Sequence, residues 1–249
     1  MTKEDRLNFI VKEISVRNRV LLSDLATRLS VSEDTIRRDF NQLHEEGKIK
    51  RVHGGAISNS FHIYSYQEEE IYAYQNKSII AKKIHRFLEN GQVILMTGGT
   101  TNLEVARLLP PSFTGTICTP SLPVALQLSE IANVQTILIG GRLVPESQIV
   151  VGSDATERIS QIRADVCLMG TGHLDPNYGF SEIDWEVAHL KRVMVQSSKK
   201  VIALTISEKL NTIQQFKFCD TKSIHTLVTE LDPQNPKLDP YREQGLEIL

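Results

Sequence analysis

Residues 32–55 read SEDTIRRDFNQLHEEGKIKRVHGG. Ser32 is placed to cap a helix, because its hydroxyl can accept from an amide that the first turn leaves without a partner. Glu33 and Asp34 follow, where the positive end of the helix dipole favours carboxylates. Ile36, Phe40 and Leu43 then recur at i, i+4 and i+7, which makes one apolar face, and Gly47 suits the stop. With that face turned inward, Ser32, Glu33, Thr35, Arg37 and Arg38 remain outside at the helix start. Lys48, Ile49, Lys50, Arg51 and Val52 alternate basic with apolar residues, and His53, Gly54 and Gly55 follow. That pattern predicts a two-stranded ribbon with glycines at its turn.

Upstream, Thr2 with Asp5 has the spacing of a capping box, and Leu7, Ile10, Val11 and Ile14 predict a helix over about residues 3–16. Ser23 is the expected cap of a short helix that buries Leu25, Ala26 and Leu29, closed by a turn at Leu29-Ser30-Val31. Two short helices joined by a tight turn, the second opening on polar and basic residues, form the pattern of a helix-turn-helix with the ribbon as its wing. Arginine suits the helix start because its planar fork donates two hydrogen bonds to guanine O6 and N7, or clamps a phosphate. Lys48, Lys50, Arg51, His53, Gly54 and Gly55 are the expected phosphate contacts of the wing. Each basic residue taken alone also fits a solvated face; taken together they point to double-stranded DNA.

The 249 residues carry a formal net charge of -2, yet the first 60 hold eleven Lys and Arg against nine Asp and Glu. The basic excess is local, as expected where nucleic acid touches only one end of the molecule. Cys118, Cys167 and Cys219 lack metal-ligand or redox spacing and read as small buried hydrophobes. The seven histidines are scattered, so no metal site is expected. The N-terminus is charged from its third residue, and no apolar run approaches the ~18 residues of a membrane span. A cytoplasmic protein without a cofactor is expected.

Residues 59–76 mix aromatics with Glu68, Glu69 and Glu70 and predict a partly extended linker whose tyrosines dock on a neighbouring surface or pack between domains. From residue 77 the pattern changes. A helix through Ile80, Ile84, Phe87 and Leu88 is stopped by Gly91, and short apolar strands follow at 93–96, 116–119, 135–139, 165–169, 201–204 and 225–228. Helical stretches at 102–109, 122–130, 153–163 and 185–198 separate most of them. Such alternation predicts an α/β, Rossmann-like, mostly parallel sheet over residues 77–232, with 233–249 as a C-terminal tail.

Ligands of such sheets bind at the carboxyl ends of the strands, where the glycine and hydroxyl loops lie. The first strand runs into Thr97, Gly98, Gly99, Thr100 and Thr101, the second into Pro120 and Ser121, the third into Gly140 and Gly141, and the fourth into Gly170, Thr171 and Gly172. Glycines let backbone amides approach an anion, helix starts add their dipole, and hydroxyls complete a phosphate cradle. The same glycines also suit plain strand-to-helix turns. No Gly-Lys-Ser/Thr follows, so the first loop is not a P-loop.

The run VSEDTIRRDFNQLHEEGKIKRVHGGA, within residues 3–58, resembles the signature of DeoR-type bacterial transcription regulators. These join a winged helix-turn-helix to an effector-sensing domain related in fold to sugar-phosphate isomerases. The resemblance continues over roughly 77–230: Gly99-Thr100-Thr101, then Thr119 with Ser121, Gly140-Gly141, Gly152 with Ala155, Gly170, and Glu186 with Lys191 fall on family positions. It implies an effector site that takes a sugar phosphate or another phosphorylated metabolite, with Lys191 as an anion partner, although a solvated surface lysine fits too. Two departures stand out. Thr97 and Thr205 occupy positions where the family usually carries an aspartate.

The expected function is that of a repressor of a carbohydrate or nucleoside utilisation operon, acting as a homodimer or homotetramer and released from its operator by the effector. The alternative is a sugar-phosphate isomerase with an accessory DNA module, for which Glu186, Asp184 and His173 are candidate bases. Without carboxylates at 97 and 205 that alternative is the weaker.

Overall fold

The computed structural model describes residues 1–17, 19–58, 71–145 and 147–249. The chain divides into two compact units, Met1–Ala73 and Tyr74–Leu249. The aromatic and acidic stretch expected as a linker falls mostly on 59–70, outside the described residues.

In the first unit, α1 (Lys3–Arg17) leads into β1 (Arg19–Leu21), α2 (Leu22–Leu29), α3 (Glu33–Glu45), β2 (Ile49–Val52) and β3 (Gly55–Ser58). The amide of Thr2 donates to Asp5 at 3.0 Å and the amide of Asp5 to the Thr2 hydroxyl at 3.1 Å, which closes the capping box. Helix α2 starts one residue before the cap expected at Ser23. Leu21 stands at its cap position without a side-chain hydrogen bond, because the strand β1 runs directly into the helix. Ile10, Ile14, Leu25, Ile36, Phe40 and Leu43 form the core of the unit with Val20, Ile49 and Ala56 from the strands. Asp39 is buried among them and takes both Nε and Nη2 of Arg6, at 2.6 and 3.1 Å, so one bidentate pair ties α1 to α3.

The strand β1 was not apparent in the sequence. It makes the wing a three-stranded antiparallel sheet in the order β1-β3-β2. The two wing glycines serve different ends. Gly54 holds φ +72° at the turn, whereas a Cβ on Gly55 would stand 2.1 Å from the carbonyl oxygen of Val20.

The second unit is built on a seven-stranded parallel sheet. Its strands are β4 (Val93–Met96), β5 (Gly115–Thr119), β6 (Val134–Leu138), β9 (Ala164–Gly170), β12 (Ser198–Leu204), β14 (Thr226–Val228) and β15 (Glu247–Ile248). They lie in the order β15-β14-β12-β9-β4-β5-β6. The helices are α4 (Tyr74–Ile84), α5 (Thr100–Arg107), α6 (Leu122–Ser129), α7 (Ser153–Ser160), α8 (Trp185–Gln196) and the short α9 (Asp239–Glu243). Leu95, Cys167, Met169, Ala203, Leu227 and Met194 are among the residues of the core between them. All three cysteines are buried and free, and burial pushes the thiols of Cys167 and Cys219 up to about 12.

Three features differ from expectation. Helix α4 begins at Tyr74, inside the stretch expected as linker, and its last turn tightens to a 3-10 turn at His85–Phe87 instead of running on to Gly91. Residues 233–249 are not a tail. They supply α9 and β15, and Tyr241 from this segment is buried and donates to the carbonyl of Leu174 at 3.1 Å. Finally, two antiparallel pieces decorate the carboxyl side of the sheet: a hairpin of β7 (Arg142–Val144) and β8 (Ile149–Val151), and a three-stranded sheet of β10 (His173–Asp175), β11 (Gly179–Glu182) and β13 (Phe216–Cys219).

Candidate functional site

At the start of α3 the Ser32 hydroxyl accepts from the amide of Thr35 at 3.2 Å and lies 2.9 Å from the Thr35 hydroxyl. Ser32 and Thr35 therefore shape the helix start first. Ile36, Phe40 and Leu43 point inward, and the exposed face carries Arg37 and Arg38, whose side chains are 53% and 80% exposed. Asp34 sits 2.8 Å from Arg38 and 3.7 Å from Arg37, exposed pairs of the kind that yield readily to a phosphate.

Glu33 and Arg37 from α3 and Arg51, His53, Gly54 and Gly55 from the wing line one groove of about 370 Å³, floored by Leu22 and Phe40. Arg51 donates to the side chain of Asn41, which fixes the wing strand against α3. Asn41 gave no signal in the sequence; only the folded wing brings it to Arg51. Lys48 pairs with Glu46 at 2.7 Å and Lys50 is exposed, and neither lines the groove. Ser32, Thr35 and Arg38 also stand outside its lining.

At the carboxyl edge of the large sheet three loops converge. A Cβ on Gly98 would stand 3.2 Å from the Ser121 hydroxyl, and one on Gly170 would stand 2.7 Å from the Gly98 carbonyl oxygen, so the loops after β4, β5 and β9 meet through atoms that leave no room for side chains. Gly99 holds φ +106° and stands at the N-cap position of α5, with Thr100 and Thr101 buried in its first turn. The Thr119 hydroxyl accepts from the amide of Ser121 at 3.1 Å. The hairpin β7-β8 is stitched over this edge by the amide of Val150, which donates to the carbonyl of Pro120 at 2.7 Å.

Thr97 is the hub beneath these loops. Its hydroxyl oxygen accepts from the amide of Gly170 at 2.7 Å and from Asn102 Nδ2 at 2.8 Å. Thr171 reaches back to the Leu204 carbonyl through its amide at 3.3 Å. Thr205, at the end of β12, is buried and donates to the carbonyl of Ile206 at 3.3 Å.

Lys191 is only 6% exposed, so the solvated reading of this residue is wrong. Its ammonium donates to the carbonyl of Gly170 at 2.8 Å and pairs with Glu182. Glu182 was not singled out in the sequence, because it stands nine residues away on another element, outside any helical spacing. Glu186 does not join them and pairs instead with Arg142 of the hairpin, where both side chains are largely exposed. Gly141 packs against Val150 and Val151 rather than against the Gly98 group, and Gly140 faces open space.

The groups an isomerase would use as bases are engaged elsewhere. Asp184 caps α8, accepting from the amides of Glu186 and Val187 at 2.9 and 3.0 Å, and buried His173 lies 3.2 Å from the Thr212 hydroxyl. Among the described residues no three His, Cys, Asp or Glu side chains come together to hold a metal, and no helix is long and apolar enough to cross a membrane.

A winged helix-turn-helix with a basic groove, followed by an α/β unit with glycine and hydroxyl loops on one sheet edge, defines a DNA-binding transcription regulator with a sensor domain. The family models agree: the DeoR-like helix-turn-helix domain matches residues 6–61 and the DeoR C terminal sensor domain matches residues 72–231. The chain belongs to the DeoR family and is a non-enzymatic, DNA-binding regulator. It is 30% identical to the HTH-type transcriptional repressor GlcR of Bacillus subtilis (strain 168), over 100% of this chain and 96% of that protein. It is 27% identical to the lactose phosphotransferase system repressor of Staphylococcus epidermidis, covering 98% of this chain and 99% of the relative. Among solved structures, D-ribose-5-phosphate isomerase in complex with phospho-erythronic acid is similar at 18% identity and a TM-score of 0.39, over 54% of this chain and 52% of that one.

Proposed function

We propose that this regulator represses a carbohydrate-related operon and leaves its operator when a small phosphorylated metabolite binds the loops at the carboxyl edge of its sheet. The observation that carries the DNA half is the shared groove of Arg37, Arg51 and His53, which unites helix start and wing. In the proposed complex Arg37 and Arg38 contact base edges or phosphates in the major groove, while Lys48, Lys50, Arg51 and His53 follow the backbone. The names of the relatives, a repressor in Bacillus subtilis and a lactose phosphotransferase system repressor, support repression and a sugar-linked operon.

The effector half is supported by the close approach of Gly98, Ser121 and Gly170, which gathers three loops at the carboxyl edge of the sheet, where such sheets take their ligands. Thr100 and Thr101 at the start of α5 add hydroxyls and the helix dipole. One winged helix reads few base pairs, so the acting form is a homodimer or homotetramer on half-sites about 34 Å apart, or a multiple of that. Its place of action is the cytoplasm, where operator DNA is met.

The test is selection of bound fragments from genomic DNA by the full chain, followed by titration across salt. A log-log slope that steepens with each phosphate neutralised supports the wing as a phosphate clamp. Binding that hardly changes between low and moderate salt refutes it.

A further inference from the structure

The seven-stranded sheet ends on two edges of unlike character. At one, β15 is two residues long and carries Glu247, whose carboxylate accepts from the Thr226 hydroxyl at 2.8 Å and lies 3.6 Å from Lys200. A short, charged strand closes an edge to further pairing. At the other, β6 is five residues long and reads VQTIL, without a charge or a proline. Among the described residues nothing pairs with its outer side. Ile137 and Leu138 are 41% and 46% exposed, and Leu126 of α6, the helix packed on β6, is 50% exposed. Ile137 stands on the same face of the sheet as its neighbour Cys118 and Leu138 on the opposite face, so apolar surface wraps this edge from both sides.

Backbone geometry narrows what fits there. The amide of Ile139 donates across to the carbonyl of Thr119 in β5 at 2.9 Å. Amide and carbonyl reverse direction at each residue of a strand, so Gln135 and Ile137 also turn toward β5, while Thr136, Leu138 and the carbonyl of Val134 face outward. An antiparallel copy of the same strand, related by a two-fold axis at Thr136, answers each of these groups. Thr136 exchanges both bonds with its counterpart, and the amide of Leu138 reaches the carbonyl of Val134 in the copy. Ile137 then stands beside Gln135 of the copy and Leu138 beside its Val134, with no like charges opposed. The same arrangement brings the end of β6 that follows Glu130 next to the end that precedes Arg142, two exposed residues of opposite charge.

Resting on the reading of the acting form as a homodimer or homotetramer, we infer that β6 is the docking strand for a second copy of this chain. The two β6 strands pair antiparallel about Thr136 and join two sensor units in one continuous sheet, with Ile137, Leu138 and Leu126 buried at the seam.

Sedimentation equilibrium of the 249-residue chain tests the surface, with wild type set against the double variant Ile137→Lys/Leu138→Lys. Both substitutions fall on exposed side chains, so the circular dichroism spectrum is expected to stay the same. Self-association is expected to weaken by about tenfold or more, taking a dimer to monomer or a tetramer to dimer. Cross-linking tests the register. Gln135 and Ile137 of the copy form a pair whose Cα atoms are about 4.5 Å apart, inside the span of roughly 4.4–6.8 Å that a disulfide bridges, whereas Gln135 and its own counterpart lie diagonally, about 7–8 Å apart. The three native cysteines are buried. Gln135→Cys and Ile137→Cys chains, mixed in equal parts, left to exchange and oxidised with diamide, are expected to give a disulfide-linked dimer, and each variant alone to give little.

Unchanged association in the lysine variant, with no cross-link in the mixture, overturns the β6 seam and leaves the oligomeric reading standing. Dissociation without a register-specific cross-link overturns the two-fold axis at Thr136. If the lysine variant does not fold, the cross-link decides. Wild type that stays monomeric both free and on operator DNA overturns the oligomeric reading and takes this inference with it.

Discussion

The Thr97 hydroxyl accepts a 2.7 Å hydrogen bond from the amide of Gly170, so the carboxyl ends of β4 and β9 are locked through a neutral group. Asn102 adds a second donor to the same oxygen at 2.8 Å. Thr97→Val keeps the shape and removes the acceptor, which takes away the Gly170 amide's partner, while Asn102 keeps the carbonyls of Thr97 and Leu168 at 2.9 and 3.1 Å. The expected cost is about 1–3 kcal/mol in the sensor unit, read from the urea midpoint of its transition. A variant as stable as wild type would show that the lock contributes nothing.

Gly55 has no space for a side chain, because a Cβ there would stand 2.1 Å from the Val20 carbonyl oxygen. Gly55→Ala must part β1 from β3, at a cost of about 1–3 kcal/mol or more to the first unit. Operator affinity is expected to drop with it, while the melting transition of the sensor unit keeps its temperature. Gly54→Ala, strained by φ +72° but in open space, is expected to do less harm.

Arg51 and Arg37 face one groove but are given different parts on DNA. Arg51→Ala is expected to weaken binding about equally on all sequences and to lower the salt slope by roughly one. Arg37→Ala is expected to cost about 1–3 kcal/mol and to relax preference at one base position. Fluorescence anisotropy on operator and scrambled duplexes separates the two; equal loss on both duplexes for Arg37→Ala would make it a second phosphate contact.

Glu13 joins Arg17 of its own helix at 2.7 Å to Arg28 of α2. Burial raises its carboxyl, but hydrogen bonds from Arg28 and Arg17 together outweigh this and hold it below the usual carboxylate range. A depressed folded value means the stabilisation is complete above the unfolded value, about 4.3, and is lost as pH falls through the folded one. The first unit is expected to lose stability across that acid window, and Glu13→Gln to flatten this part of the profile. Identical urea midpoints against pH for variant and wild type would contradict the assignment.

Much of the fold was legible because it is local. Ser32, Ile36, Phe40 and Leu43 announce α3 at helical spacing, and the apolar runs from Val93, Ile117, Val166 and Val201 announce central strands buried on both faces. What was hidden depends on distant partners. β1 is three residues long and exists because β3 pairs with it, and β15, two residues long, is held by β14. The site divides in the same way. Gly98, Ser121 and Gly170 come from loops whose composition signals an anion, whereas the Glu182 partner of Lys191 arises only from packing of separate elements. Thr97, marked as a departure from family pattern, proves to be an acceptor in its own right.

Anisotropy of a labelled operator held by the 249-residue chain, while sugars and their phosphates are titrated in, reads directly whether one chain couples operator binding to a phosphorylated effector. At least one phosphorylated sugar is expected to lower operator affinity at constant ionic strength while its unphosphorylated counterpart does not, since only a ligand that distinguishes the two states can shift them. Operator affinity indifferent to every phosphorylated compound, in a protein that binds its operator tightly, would contradict it.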